Sequence, residues 1–140
     1  MVVPAEGISI TPHAVGGIGA LRRGFAVLST DASHSANDPA NQAAGLVRNV
    51  LFGLDPQARI DYGYAAVATM TPLAKAIITQ FYGAAPAYSY IYGCSNGGRN
   101  GMVAATRYAD LFDGVLAGRP GHNFAKATLQ NAWDLQRVQR

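Results

Sequence analysis

Residues 88–108 read YSYIYGCSNGGRNGMVAATRY, and the prediction of the fold starts from this segment. Its first part, Tyr88–Tyr92, is rich in aromatic and β-branched residues, which favours a strand buried in a sheet. Its last part, Met102–Arg107, favours a helix. The residues between them, Gly93–Gly97, have the pattern G-x-S-x-G. In a nucleophile elbow this pattern places a serine on a strained turn between strand and helix, with its hydroxyl exposed.

The helix predicted after this turn carries small residues at helical spacing, Gly97, Gly101 and Ala104 or Ala105. Such a stripe lets a helix lie close to the strand that precedes it. Ser95 would then stand at the positive end of the helix, and the backbone N–H of Asn96 would point to where an oxyanion forms during acyl transfer. The alternative is a glycine-rich turn with an incidental serine. A phosphate loop fits less well, because residues 97–100 lack the Gly-Lys-Ser/Thr ending.

The composition indicates a folded chain, because 49% of its 140 residues are hydrophobic and 14% are charged. However, a one-domain α/β enzyme usually needs ~200–250 residues. The net charge is +3, but only Arg22 and Arg23 are adjacent and the other arginines are scattered singly. We therefore interpret the arginines as ordinary surface and expect no nucleic-acid partner. A single cysteine, Cys94, excludes an internal disulfide and a cysteine-rich metal site.

No targeting or membrane-spanning segment is predicted in these residues. No apolar stretch reaches the ~18 residues required to cross a bilayer, so we expect no membrane partner. Residues 1–7 lack the charged start and apolar middle of a signal peptide.

Two further strands and a last helix are predicted around the central segment. Phe25–Ser29 is a short apolar run typical of a buried strand, and Val115–Ala117 is predicted to be the third strand. Residues 124–139 show a helical pattern. The alternation of strands and helices predicts an α/β fold with a parallel sheet and right-handed crossovers.

A long helix is predicted before the central strand. Asp61 is a suitable N-cap for it, and Pro72 should kink or split it. Gly83 and Pro86 should end it.

The elbow segment, residues 107–118 (RYADLFDGVLAG), residues 23–31 (RGFAVLSTD) with His34, and residues 52–64 resemble the tannase and feruloyl esterase family. The resemblance covers essentially the whole chain, and a cysteine directly before the nucleophilic serine is a specific mark of it. It implies an α/β-hydrolase fold with a large lid, in a secreted or periplasmic protein. Members cleave esters of aromatic acids such as gallate and ferulate, and one branch acts on a terephthalate monoester. The chemistry uses no cofactor, although some members hold a structural calcium in the lid.

The resemblance also implies Ser95 as the nucleophile and the Asn96 N–H as one oxyanion donor. In the family an aspartate and a Cys-His pair follow much later, and that second cysteine bonds to the one before the serine. This chain contains neither. The family's glycine-rich loop with the second oxyanion N–H precedes the segment seen here, and Gly16 and Gly17 are the possible substitutes. We therefore expect a truncated, partial α/β-hydrolase core over residues 1–121 and the start of a lid-type insertion over residues 122–140.

Two alternatives remain at this point. One is a non-catalytic remnant, and the other is a divergent hydrolase whose acid and base are Asp113 and His122, which follow Ser95 in the hydrolase order. Structural roles are favoured for these two residues, because the acid and base normally follow later strands. His13 is expected to be solvated, and structural hydrogen bonding is favoured for Asp31 and His34.

The remaining side chains considered are expected to be structural. A zinc site of Asp31, His34 and His122 fits no usual spacing. Six tyrosines are predicted to be core and helix-packing residues, Tyr62, Tyr64, Tyr82, Tyr88, Tyr90 and Tyr92.

Overall fold

The computed structural model describes residues 2–4, 17–33, 35, 39, 43 and 51–138. The strands described are β1 (Val2–Pro4), β2 (Tyr90–Cys94) and β3 (Gly114–Gly118). The α-helices are α1 (Gly17–Arg22), α2 (Pro56–Ile60), α3 (Ala66–Tyr82), α4 (Asn96–Arg107) and α5 (Phe124–Val138). A π-helical turn, Asp61–Ala65, joins α2 to α3, and short 3₁₀ turns cover Leu51–Leu54 and Ala109–Leu111.

The three strands form one parallel sheet in the order β1-β2-β3. β2 pairs with β1 from Val2 opposite Tyr90, and with β3 from Tyr90 opposite Gly114. Ile91, the second residue of β2, is 1% exposed. The predicted α/β class with a parallel sheet is therefore confirmed for the described part of the chain, and the predicted second and third strands lie in it.

The prediction of a strand over Phe25–Ser29 is wrong. Within it, only Val27 forms a bridge, and the segment is half-buried. β2 already has a partner strand on each side, so residues 25–29 have no place beside it. The place next to β2 is taken by β1, whose three residues are too short for a periodic pattern.

The helix before β2 begins earlier than predicted. Asp55 is its N-cap, since its side chain accepts a 2.8 Å hydrogen bond from the Gln57 N–H and Pro56 occupies the first turn. Asp61, the predicted N-cap, instead ends α2 and begins the π-helical turn.

Pro72 lies inside α3, and the helix continues through it rather than splitting. The predicted end of the helix is confirmed. Gly83 has φ 73° and donates its N–H to the Thr79 carbonyl at 2.9 Å, which is the left-handed C-cap that glycine favours.

The core is small. Val67, Ala74, Ile91 and Ala104 form its buried cluster, which joins α3, β2 and α4. The prediction that the tyrosines pack in the core is wrong for most of them, because Tyr82 is 66% exposed and Tyr88 is 61% exposed. Tyr82 is the last residue of α3 and Tyr88 precedes β2, and the described elements leave both rings largely uncovered. None of the residues of α5 is buried.

Among the helices in the described ranges, none combines the length and the hydropathy needed to cross a membrane.

Candidate active site at the turn after the central strand

Ser95 forms the turn between β2 and α4. It follows the last residue of the strand, precedes the first residue of the helix, and is exposed. Its backbone has φ 58° and ψ −116°, a conformation that costs a non-glycine residue ~1–3 kcal/mol. The strained strand-turn-helix and the exposed hydroxyl predicted from the G-x-S-x-G pattern are therefore both present.

This turn requires the glycines around Ser95, because neighbouring atoms already occupy the positions that their side chains would take. A Cβ at Gly93 would lie 2.4 Å from the carbonyl carbon of Gly97. A Cβ at Gly98 would lie 2.4 Å from the carbonyl oxygen of Gly118. At Gly101 the nearest atom would be the Ala117 Cβ at 3.2 Å. The small-residue face of α4 thus lies against β2 and β3.

The buried alanine on α4 is Ala104, which is 0% exposed, whereas Ala105 is exposed. The sequence alone does not decide which of these two alanines is buried. Gly98 makes the closest approach to β3 and was not part of the predicted stripe.

The backbone of Ser95 is held on both sides. Its N–H donates to the Gly118 carbonyl at 3.0 Å, at the end of β3. Its carbonyl accepts from the N–H of Arg99 at 3.0 Å and from the N–H of Gly121 at 3.1 Å. Three hydrogen bonds to three different positions fix the strained conformation.

Two groups at the turn bear on the predicted chemistry, the Ser95 side chain and the Asn96 N–H. The Ser95 side chain makes no capping bond to the helix. Asn96 is the first residue of α4, so its backbone N–H lies at the N-terminal end of the helix. An exposed hydroxyl next to such a donor is the arrangement that acyl transfer needs, because the nucleophile and the oxyanion donor must act on the same carbonyl.

The side chain of Asn96 is anchored rather than free. Its Oδ1 accepts hydrogen bonds from the Tyr62 hydroxyl at 3.0 Å and from Arg99 Nε at 2.7 Å. Arg99 is 9% exposed, so the interpretation of every scattered arginine as ordinary surface is wrong for this one. Its position three residues after Asn96, on the small-residue helix next to the elbow, is the sequence signal that could have indicated it.

Asp113 and His122 do not assemble a triad with Ser95. The Asp113 carboxylate accepts from the Ser89 N–H at 2.7 Å, and the Asp113 N–H donates to the Ser89 carbonyl at 2.7 Å. Asp113 is therefore level with Ser89, at the start of the strands. Ser95 lies six residues further along the chain, just past the other end of β2, which corresponds to ~20 Å. The structural role predicted for Asp113 is confirmed, and the alternative with Asp113 as the acid is excluded.

His122 lies in the loop before α5 and is exposed. Its Nδ1 is 3.3 Å from the Pro120 carbonyl oxygen. No hydrogen bond joins it to Ser95 within the part of the chain that the structure describes.

The predictions for His13, Gly16 and His34 lie outside the described residues, and the proposed Asp31–His34 pair lies outside with them. Asp31 Oδ1 accepts from the Ser33 N–H at 3.1 Å. Gly17, the other possible substitute for the second oxyanion donor, is the first residue of α1.

Cys94 is a free, exposed thiol beside the turn. Over the described ranges, no group of three His, Cys, Asp or Glu side chains is arranged to hold a metal ion.

Comparison with known proteins places this arrangement in context. A family model described as Tannase and feruloyl esterase matches residues 5–140. The chain is 43% identical to a mono(2-hydroxyethyl) terephthalate hydrolase of Piscinibacter sakaiensis over 117 residues, which are 84% of this chain and 19% of the relative. It is 32% identical to a tannase of Aspergillus oryzae over 135 residues, 94% of this chain and 22% of the relative.

An uncharacterized esterase of Xanthomonas campestris is 37% identical over 115 residues, 81% of this chain and 18% of the relative. The chain thus spans about a fifth of the length of the curated relatives it matches.

Proposed function

We propose that this chain, which belongs to the tannase and feruloyl esterase family, carries the nucleophile of a serine carboxylic-ester hydrolase. The observation that supports this most strongly is the backbone of Ser95. It is held at φ 58° and ψ −116° by three hydrogen bonds, with an exposed hydroxyl at the start of a helix. Strained backbone conformations of this kind cluster at active sites and ligand-binding sites, where the strain is part of the mechanism.

In the proposed reaction the Ser95 oxygen attacks the ester carbonyl carbon. A base takes the hydroxyl proton, and the charge that develops on the carbonyl oxygen is stabilised by the Asn96 N–H. When the tetrahedral intermediate collapses, the C–O bond to the alcohol breaks and the alcohol leaves with the proton. Water then hydrolyses the acyl-serine to release the acid and restore the serine.

The substrate class we propose is small esters of aromatic acids. Its support is the activity named for the relatives, a tannase and a mono(2-hydroxyethyl) terephthalate hydrolase among them, with several probable feruloyl esterases. By the same family membership we propose an α/β-hydrolase fold in a secreted or periplasmic protein.

We further propose that residues 1–121 belong to the hydrolase core and residues 122–140 begin a lid-type insertion. The exposure of all described α5 side chains supports this division, since a helix that belonged to the core would bury one face.

The catalytic base and acid are proposed to come from outside these 140 residues. Asp113 is at the wrong edge of the sheet, and His122 makes no bond to Ser95. A serine without its base loses ~10⁴–10⁶ in kcat. The isolated chain is therefore expected to show no turnover.

Steady-state hydrolysis of methyl gallate, methyl ferulate and 4-nitrophenyl acetate tests this proposal. We expect the 140-residue chain to equal its Ser95→Ala variant with every ester. A longer product of the same reading frame that includes a downstream Asp and Cys-His pair should hydrolyse at least one of them, and Ser95→Ala should abolish that activity. Turnover by the short chain that depends on Ser95 would place the base within it. Failure of the longer product would favour the non-catalytic remnant.

A further inference from the structure

We propose that Tyr62 and Arg99 are positioning residues that hold Asn96, and with it the oxyanion-binding N–H, in the orientation that acyl transfer requires. The proposal rests on the function proposed above and extends it to a second layer of residues. Neither residue is next to Ser95 in the sequence, and neither takes part in a chemical step of the proposed reaction. Their effect on the reaction would pass entirely through Asn96.

The Asn96 side chain is held by two donors. The Tyr62 hydroxyl and Arg99 Nε both donate to Oδ1, at 3.0 and 2.7 Å. An amide oxygen has two lone pairs, so this oxygen can be fully used by the two bonds. Because Asn96 is the first residue of α4, a fixed side chain also restricts rotation of its own peptide, including the N–H that follows Ser95.

Arg99 is in turn fixed to the π-helical turn. Its Nη2 donates to the Tyr62 carbonyl at 2.7 Å and its Nη1 to the Gly63 carbonyl at 3.0 Å. The guanidinium carbon lies 4.3 Å from the centre of the Tyr62 ring. A buried guanidinium must be hydrogen-bonded, and its planar fork leaves little freedom once several donors are bound. Arg99 therefore joins α4 rigidly to residues that precede it by 36 and 37 positions.

The π-helical turn is also anchored at its first residue, Asp61. Ser33 Oγ donates to Asp61 Oδ2 at 2.9 Å, and Gln57 Nε2 donates to Asp61 Oδ1 at 3.0 Å. π-Helical turns are rare and occur often at functional sites, where they re-aim side chains. Here the turn directs the Tyr62 hydroxyl and two backbone carbonyls towards α4. A bracing role explains why these carbonyls meet Arg99 and why Asn96 meets both residues.

The experiment measures phosphonylation of Ser95 by an excess of an aryl fluorophosphonate in the longer product of the reading frame, which includes the proposed base. The serine oxygen forms a bond to phosphorus, the base takes the hydroxyl proton, the P–F bond breaks and fluoride leaves. The phosphoryl oxygen takes the position of the oxyanion, so the rate reports on the Asn96 N–H. Intact-mass spectrometry follows the labelled fraction, and the rate is measured at several reagent concentrations to separate reaction from reagent binding.

Tyr62→Phe removes only the hydroxyl and keeps the ring that stacks on Arg99. We expect it to lower the limiting labelling rate by about 3- to 10-fold, the range for one lost hydrogen bond, with the half-saturating reagent concentration unchanged. Tyr64→Phe is the matched control, since Tyr64 lies in the same turn with its ring under Arg107 at 4.6 Å. This control should label at the wild-type rate.

A double-mutant cycle separates bracing from general stability. Asn96→Ala removes the acceptor but keeps the backbone N–H, so it should slow labelling at least as much as Tyr62→Phe. In the Asn96→Ala background, Tyr62→Phe should have no further effect. Additive effects in the cycle would overturn the proposal, because Tyr62 would then act by another route.

The outcomes also distinguish this proposal from the one it rests on. Absence of labelling at Ser95 in the longer product with the wild-type sequence would overturn both. Labelling at Ser95 with equal rates for Tyr62→Phe and Tyr64→Phe would overturn the positioning role alone and leave the nucleophile assignment standing.

Discussion

Substitution of Gly98 by alanine should damage the fold at the candidate site itself. The new Cβ would lie 2.4 Å from the Gly118 carbonyl oxygen and 2.8 Å from the Pro120 Cα. Ordinary contact begins at 3.4 Å, so α4 and the end of β3 must separate by about 1 Å. Both contacts are with backbone, and no flexible side chain can move aside.

The same Gly118 oxygen accepts the N–H of Ser95 at 3.0 Å. Separation of the helix from the strand therefore also weakens the bond that holds the turn. Overpacking typically costs ~1–3 kcal/mol, and a lost backbone hydrogen bond costs ~0.5–1.5 kcal/mol. We expect Gly98→Ala to lower the free energy of unfolding by about 2–4 kcal/mol.

Urea unfolding followed by far-ultraviolet circular dichroism measures this change. Gly63→Ala is the control, because a Cβ there has no atom within 4 Å and the residue lies in a helical turn. It should be neutral or stabilising by up to ~1 kcal/mol. A Gly98→Ala protein with the wild-type midpoint and slope would refute the close approach of α4 to β3.

Three further predictions concern the turn and its surroundings. Ser95→Gly should stabilise the chain by about 1 kcal/mol in urea unfolding, because relief of the φ 58° strain outweighs the entropy cost of glycine. Ser95→Ala should not stabilise it. Equal stabilities of the two variants would mean that the turn is unstrained. Asp55→Ala should cost about 1 kcal/mol through loss of the N-cap while Asp55→Asn costs less, measured in the same way, and equal losses would exclude a capping role. Cys94 should react with one equivalent of a thiol reagent in the native chain, with no reaction in Cys94→Ser; a native chain that reacts only after unfolding would contradict its exposure.

The elbow could be predicted from sequence because its requirements are local. A serine at positive φ between a strand and a helix needs small neighbours at fixed offsets, and Gly93 and Gly97 supply them. The end of α3 at Gly83 is local in the same way. The start of the long helix was misplaced because Asp55 and Asp61 are both suitable caps, and the choice depends on Pro56 being in the first turn.

The hydrogen bonds that hold the Asn96 side chain could not be predicted from local sequence in this way. Tyr62 meets Asn96 across 34 residues of sequence, and the burial of Arg99 depends on its bonds to the Gly63 and Tyr62 carbonyls, 36 and 37 residues away. The tyrosines that remained exposed show the same limit. An aromatic side chain such as Tyr88 indicates a buried surface, but its burial depends on how many elements cover the sheet.

The central claim is that Ser95 is a nucleophile, and peptide mapping of the longer product of the reading frame after treatment with the aryl fluorophosphonate tests it most directly. The account predicts one phosphonyl group per chain, located on Ser95, and none on the Ser95→Ala variant under the same conditions. Modification that is absent from Ser95, or that persists at the same level in Ser95→Ala, would contradict it.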